Sequence, residues 1–180
     1  RAAELVHIPD MHWLMEQLEK EVPSRAPVSL VHGDFGLYNL IVHPTEPRIL
    51  GILDWEMATL GDPYIDLAHH LRPWWLKPAP GEDLPTLAGK PLAELGIPSM
   101  ADHMSAYLAA SGLPALENER YYMAYAQFRY AAMVQGILKR VQDGTASNTR
   151  STHTQQRVVE AARMAPAAFE GSGSSLTRKQ

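Results

Sequence analysis

Cysteine is absent from all 180 residues, which rules out disulfides, thiol nucleophiles and thiolate metal sites. The same absence fits a reducing compartment, and a cytoplasmic location is expected. Long apolar runs are missing as well. No stretch approaches the roughly 18 residues that a membrane-spanning helix needs. Lys and Arg never cluster, and 16 of them against 20 Asp and Glu leave a net charge of −4. Neither nucleic acid nor a membrane surface is therefore expected as a partner, because both select for concentrated positive charge. What remains is a chain that is 46% hydrophobic. That is enough for one compact domain with a core, expected over residues 1–170.

Periodicity places the elements. Met11, Leu14, Met15 and Leu18 recur at helical spacing within Pro9 to Glu21, and Pro23 and Pro27 follow. Val28–Val31, Leu40–Val42 and Ile49–Leu53 are short β-branched runs that predict strands in a small β-ribbon. From Asp62 the pattern turns helical: Asp62 caps, Pro63 occupies the first turn, and Pro73 is expected to end the helix. Pro73 to Pro98 reads as irregular, with a short helix near Leu92 to Leu95. Ser99 to Ala110 is a helix closed by Gly112, Leu116 to Val141 a long one, and Thr152 to Phe169 the last. Gly171 to Gln180 is a polar tail with nothing to bury, and flexibility is expected there. The fold class is α+β, mostly α.

Chemistry concentrates in His32-Gly33-Asp34-Phe35-Gly36-Leu37-Tyr38-Asn39 and in Leu53-Asp54-Trp55-Glu56. A strand–loop–strand unit puts Asp34 and Asn39 on one connection, and Asp54 follows the returning strand. Polar groups at one end of a ribbon can converge. Taken alone, Gly-Asp beside Asn is ordinary turn chemistry. Asp62 reads as a helix cap and Glu56 as a solvent-facing carboxylate. His69 and His70, adjacent on a helix, point about 100° apart and cannot readily chelate one ion, so one is expected inward and one outward. Trp74 and Trp75 either wall a substrate site or clamp the loop beneath them. Tyr121, Tyr122, Tyr125 and Tyr130 are expected in the core, and Arg129 in an internal salt bridge.

The combined pattern resembles the aminoglycoside phosphotransferase and choline kinase branch of the kinase superfamily. That branch carries H-G-D-x-x-x-x-N, then I-D-W-E, G-D-P and D-L-A. Here they stand as His32-Gly33-Asp34 with Asn39, Leu53-Asp54-Trp55-Glu56, Gly61-Asp62-Pro63 and Asp66-Leu67-Ala68. The likeness is greatest to the phosphotransferase domain of some acyl-CoA dehydrogenase family proteins and their bacterial relatives. It runs on into Phe128-Arg129-Tyr130-Ala131-Ala132 and Gln135-Gly136-Ile137. It implies a protein-kinase-like C-terminal lobe whose β-ribbon carries the catalytic loop. It also implies ATP and Mg2+ as cofactors and a small-molecule hydroxyl as acceptor. By the same resemblance Asp34 is the catalytic base, with His32 orienting its loop. Asn39 and Asp54 hold the metal and, through it, the nucleotide. Asp66 braces the loop. Gly36 and Tyr38 depart from the Arg and Asp common in that subgroup, which bears on the acceptor side.

The nucleotide clamp is missing from the sequence. No G-x-G-x-x-G occurs, and Gly89-Lys90 fails the phosphate-loop pattern because residue 84 is Leu. The chain opens on Arg1, not Met. A lobe upstream is therefore expected, and these residues alone are expected to bind nucleotide weakly and turn over slowly. Two other readings stay open. His32-x-Asp34 with a distant His matches a non-haem iron triad, which usually sits in a jelly roll. A docking module that keeps the loop as a relic is the non-catalytic alternative.

Overall fold

In a computed structural model of the chain, residues 8–77 and 86–145 are described. The expected helix over 152–169 and the tail over 171–180 lie outside them. The described residues fall into two compact units, one drawn from Arg1–Val22 and Asn118–Gln180, the other from Pro23–Glu117.

In the first unit, α1 (Pro9–Lys20) packs on α4 (Glu119–Gln142). Pro9 starts α1 where its missing N–H costs nothing, and Leu14 and Leu18 are buried along one stripe with Met11. Ile8 and Met11 meet Ala131 and Val134, with Phe128 and Tyr130 packed against them. Asn118 caps α4, its side-chain oxygen accepting from the Tyr121 N–H. Both oxygens of Glu21 accept from the Arg120 guanidinium, at 3.1 and 3.0 Å. Tyr121 and Tyr122 are buried, and Tyr125 and Tyr130 half-buried. Arg129 forms no ion pair among the described residues, so the expected salt bridge is corrected.

The second unit holds all the described strands. β1 (Ser29–Val31) pairs antiparallel with β4 (Thr59–Gly61), and β2 (Leu40–Val42) with β3 (Ile49–Ile52). The single ribbon expected from the sequence is thus two. β4 went unrecognised because three residues ending in Gly carry no strand signal. Its register, Leu30 opposite Leu60, is set by pairing across thirty positions.

Asp62 opens α2 (Tyr64–Trp75), its carboxylate accepting from the Tyr64 N–H and its carbonyl from Ile65. The helix runs past Pro73, two residues further than expected. Proline deletes one N–H there, and the Pro73 carbonyl is taken by Thr86, Leu87 and Ala88 from the following loop. Leu92 to Leu95 forms turns, not a helix. α3 (Met100–Ser111) starts on a Ser99 cap and ends on Gly112 at φ 67°. Among the described residues, no helix is long and apolar enough to cross a membrane.

Candidate active site

The site grows out of the loop between β1 and β2, which ties one ribbon to the other. Gly33 turns the chain at φ 86°, where an L side chain is strained. A Cβ there would also meet the Met57 carbonyl at 2.6 Å. Asp66, in the first turn of α2, secures the turn from below. Its Oδ2 accepts from the His32 N–H at 2.6 Å and its Oδ1 from the Gly33 N–H at 2.9 Å. Two backbone donors buried in a loop are thereby satisfied by one carboxylate.

His32 is 3% exposed and both its ring nitrogens are engaged. Nε2 donates to the Leu53 carbonyl at 2.7 Å, and Nδ1 accepts from the Asp34 N–H at 3.2 Å. Trp55 lies against the ring, centroids 4.7 Å apart. A histidine so occupied has no lone pair for iron. The strands described form two pairs, not a jelly roll. Both observations speak against the oxygenase alternative.

Asp34 is half-buried, and three side chains converge on it. Tyr38 Oη donates to Oδ1 at 2.7 Å, and His69 Nε2 lies 3.2 Å from the same oxygen. The Asn39 amide donates to the Asp34 carbonyl at 2.8 Å and reaches Oδ2 at 3.3 Å. Burial works against the charged carboxylate. The hydrogen bonds from His69 and Tyr38, with the Asn39 amide, outweigh it and hold Asp34 below the usual carboxylate range. Asp34 is therefore ionised at neutral pH.

Asn39 ends the loop and is buried. Its carbonyl accepts from the Leu53 N–H at 2.8 Å, extending the β2–β3 ladder by one bond. Asp54 is the residue that follows Leu53, just past the end of this ladder. It sits in the left-handed region at φ 65° and ψ 53°, a conformation that is costly for a side chain bearing Cβ. Its carboxylate is exposed and accepts no hydrogen bond among the described residues. The structure thus joins Asp34 to Asn39 directly and Asn39 to Leu53 through the backbone, while the Asp54 side chain touches neither Asp34 nor Asn39 by a hydrogen bond among the described residues. Among the described residues, no three His, Asp or Glu side chains are arranged to hold a metal ion by themselves. Asn39 and Asp54 offer instead one amide and one carboxylate oxygen. Both are hard donors, and Mg2+ characteristically takes few ligands from protein. The donor set fits.

Sequence reasoning missed His69 as a site residue, and it placed Tyr38 on the acceptor side without its bond to Asp34. Of the two adjacent histidines, one was expected to face outward. Instead His69 is buried against Asp34, and half-buried His70 joins a file of rings with Phe35, His103 and Trp74. Trp74 stacks on His103 at 5.1 Å and donates to the Pro98 carbonyl, while Trp75 Nε1 is buried without a partner among the described residues. Glu56 is exposed. Only the helical spacing that puts His69 three residues after Asp66 hinted that both face the loop.

Comparison with known proteins adds to this geometry. The phosphotransferase enzyme family (APH) matches residues 1–103. Mouse acyl-CoA dehydrogenase family member 10 is 40% identical over 151 residues, covering 82% of this chain and 14% of that protein. Human family member 11 is 36% identical over 154 residues, covering 84% and 19%. The chain thus spans less than a fifth of either. A Ralstonia eutropha jmp134 crystal structure, of a protein provisionally described as an aminoglycoside phosphotransferase, superposes with a TM-score of 0.83 at 37% identity. It covers 96% of this chain and 52% of that one. The fold is therefore the kinase-like fold of aminoglycoside phosphotransferases, with helices and small antiparallel sheets. The chain belongs to the phosphotransferase enzyme family.

Proposed function

We propose that this chain carries the catalytic-loop part of a site that moves the γ-phosphoryl group of ATP to a small-molecule hydroxyl. One observation carries the reading: an ionised Asp34, held on a braced loop by Tyr38, His69 and Asn39, with Asp54 following the Leu53 that bonds the Asn39 carbonyl. Phosphoryl transfer asks for positioning and charge neutralisation more than for covalent help. Asp34 accepts a hydrogen bond from the acceptor hydroxyl and orients its oxygen. As that oxygen bonds to phosphorus, the bond to the bridging oxygen breaks, ADP leaves and the hydroxyl proton passes to Asp34. Asn39 and Asp54 are the residues to hold Mg2+, which when bound neutralises the β- and γ-phosphates. His32 and Asp66 keep the loop in place.

The acceptor class rests on analogy and surroundings. Relatives named as acyl-CoA dehydrogenase family members support a hydroxyacyl compound. Phe35, the residue after Asp34, joins a file of rings with His70, His103 and Trp74, an aromatic neighbourhood unlike the dense acidic surface that a polycation requires. No glycine-rich cover or phosphate loop is present in the sequence, so slow turnover by these residues alone is expected.

The test is a single-turnover assay with γ-labelled ATP, Mg2+ and a panel of hydroxyacyl compounds and aminoglycosides. Asp34→Asn is expected to lower transfer by roughly 10²- to 10⁴-fold while the fold is retained. Undiminished transfer by that variant would refute the assignment of Asp34.

A further inference from the structure

We propose that Tyr38 and His69 are positioning residues that occupy Oδ1 of Asp34 and so leave Oδ2 to receive the acceptor hydroxyl, with Gly36 as the opening that lets Tyr38 reach. The proposal rests on the phosphotransferase reading above and assigns roles within it.

Tyr38 Oη, His69 Nε2 and Asp34 Oδ1 form a triangle with sides of 2.7, 2.9 and 3.2 Å. Two protons serve it. With Tyr38 donating to Oδ1, His69 satisfies the same oxygen only if its proton is on Nε2. The other ring nitrogen agrees: Nδ1 is buried and has no partner among the described residues. A bare lone pair there is tolerated better than a buried N–H with no acceptor. Oδ1 is thus doubly donated, whereas among the described residues Oδ2 has only the long 3.3 Å approach of Asn39. The second oxygen is the one with acceptor capacity to spare.

Gly36 makes the triangle possible. The Tyr38 ring folds back over it, so a Cβ at position 36 would meet ring atom Cε1 and lie 2.6 Å from Cζ. The Gly36 backbone is extended at φ −154°, a conformation any residue adopts. Glycine is therefore required for space, not for conformation. The ring is 67% exposed at the end of a flexible side chain, so an alanine at 36 displaces it at little cost in stability. What alanine removes is the hydroxyl from Oδ1.

Long-range proton–nitrogen spectra of the ligand-free chain test the triangle without any assay. His69 is expected to carry its proton on Nε2. A proton on Nδ1 alone would overturn the proposal, because Nε2 would then accept from Tyr38 and Oδ1 would lose that donor. Kinetics test the role. Tyr38→Phe and Gly36→Ala are each expected to lower kcat roughly 10- to 100-fold, the size of a lost hydrogen bond to a charged group. KM for ATP should stay within about twofold, and the double variant should be no worse than either single one. Additive losses, an unchanged kcat, or a lower acceptor KM in Tyr38→Phe would each overturn it; the last would make the phenol a displaceable stand-in for substrate. Asp34→Asn separates the levels. If it transfers normally, the underlying reading fails; if it is dead while Tyr38→Phe is not, only the positioning role falls.

Discussion

At Asp66 a single carboxylate accepts from two consecutive backbone N–H groups, and nothing else among the described residues holds the His32–Gly33 turn so directly. Replacing it with alanine strands both donors, and a hydrogen bond to a charged group counts for more than a neutral one. Asp66→Ala is expected to destabilise the chain by about 2–4 kcal/mol, read from urea midpoints. Asp66→Asn should recover part of that, since an amide oxygen serves one donor but its NH2 faces the other. Equal loss in both variants would mean that the charge, not the acceptor geometry, sets the turn. The spacing of Asp34 and Asn39 announced this loop, because five intervening steps on one connection are a local property. His69 was not announced. It reaches Asp34 across 35 positions of sequence, and only the packing of α2 beneath the loop brings it there.

Among the elements, α2 carries the site on one side and a ring file on the other. His70 is held down to about 4 from an ordinary 6.5, first by burial, then by the charges of His103 and His69. Below its ordinary value the unfolded chain binds a proton at this residue that the folded chain refuses. Stability therefore falls as pH drops from 6.5 toward 4. Allowing for partial exposure, the loss is about 1–2 kcal/mol over that window. Urea unfolding at about pH 4.5 and about pH 7 should show a shallower pH dependence for His70→Asn than for the parent. An identical slope would remove His70 as its source. Helix ends were legible because caps are local: Ser99 and Gly112 bracket α3 as the sequence said, and Asp62 opens α2. Strand pairing was not. Short runs such as Val28–Val31 reveal a strand but not its partner, so two ribbons read as one. Pro73 misled for a related reason: the loop residues that take its carbonyl come from further along the chain.

For the whole chain, resemblance and geometry agree on the family, and the matched solved protein is about twice as long as this one. The ribbons carry exposed apolar side chains, among them the cross-strand partners Leu30 and Leu60 at 61 and 75% exposure. Strand alternation with one buried face would have hidden one side of each ribbon, and the second unit by itself does not. The central claim concerns three side chains, and it is best tested by binding, which does not depend on turnover. Mn2+ accepts the same oxygen donors as Mg2+ and broadens nearby nuclear resonances. In a titration of the chain with Mn2+ and ATP, the Asn39 side-chain amide and the Asp54 and Asp34 backbone amides are expected to broaden together and first. Asp54→Ala should abolish that effect. Broadening centred elsewhere, or unchanged in Asp54→Ala, would contradict a metal site formed by Asn39 and Asp54 beside Asp34.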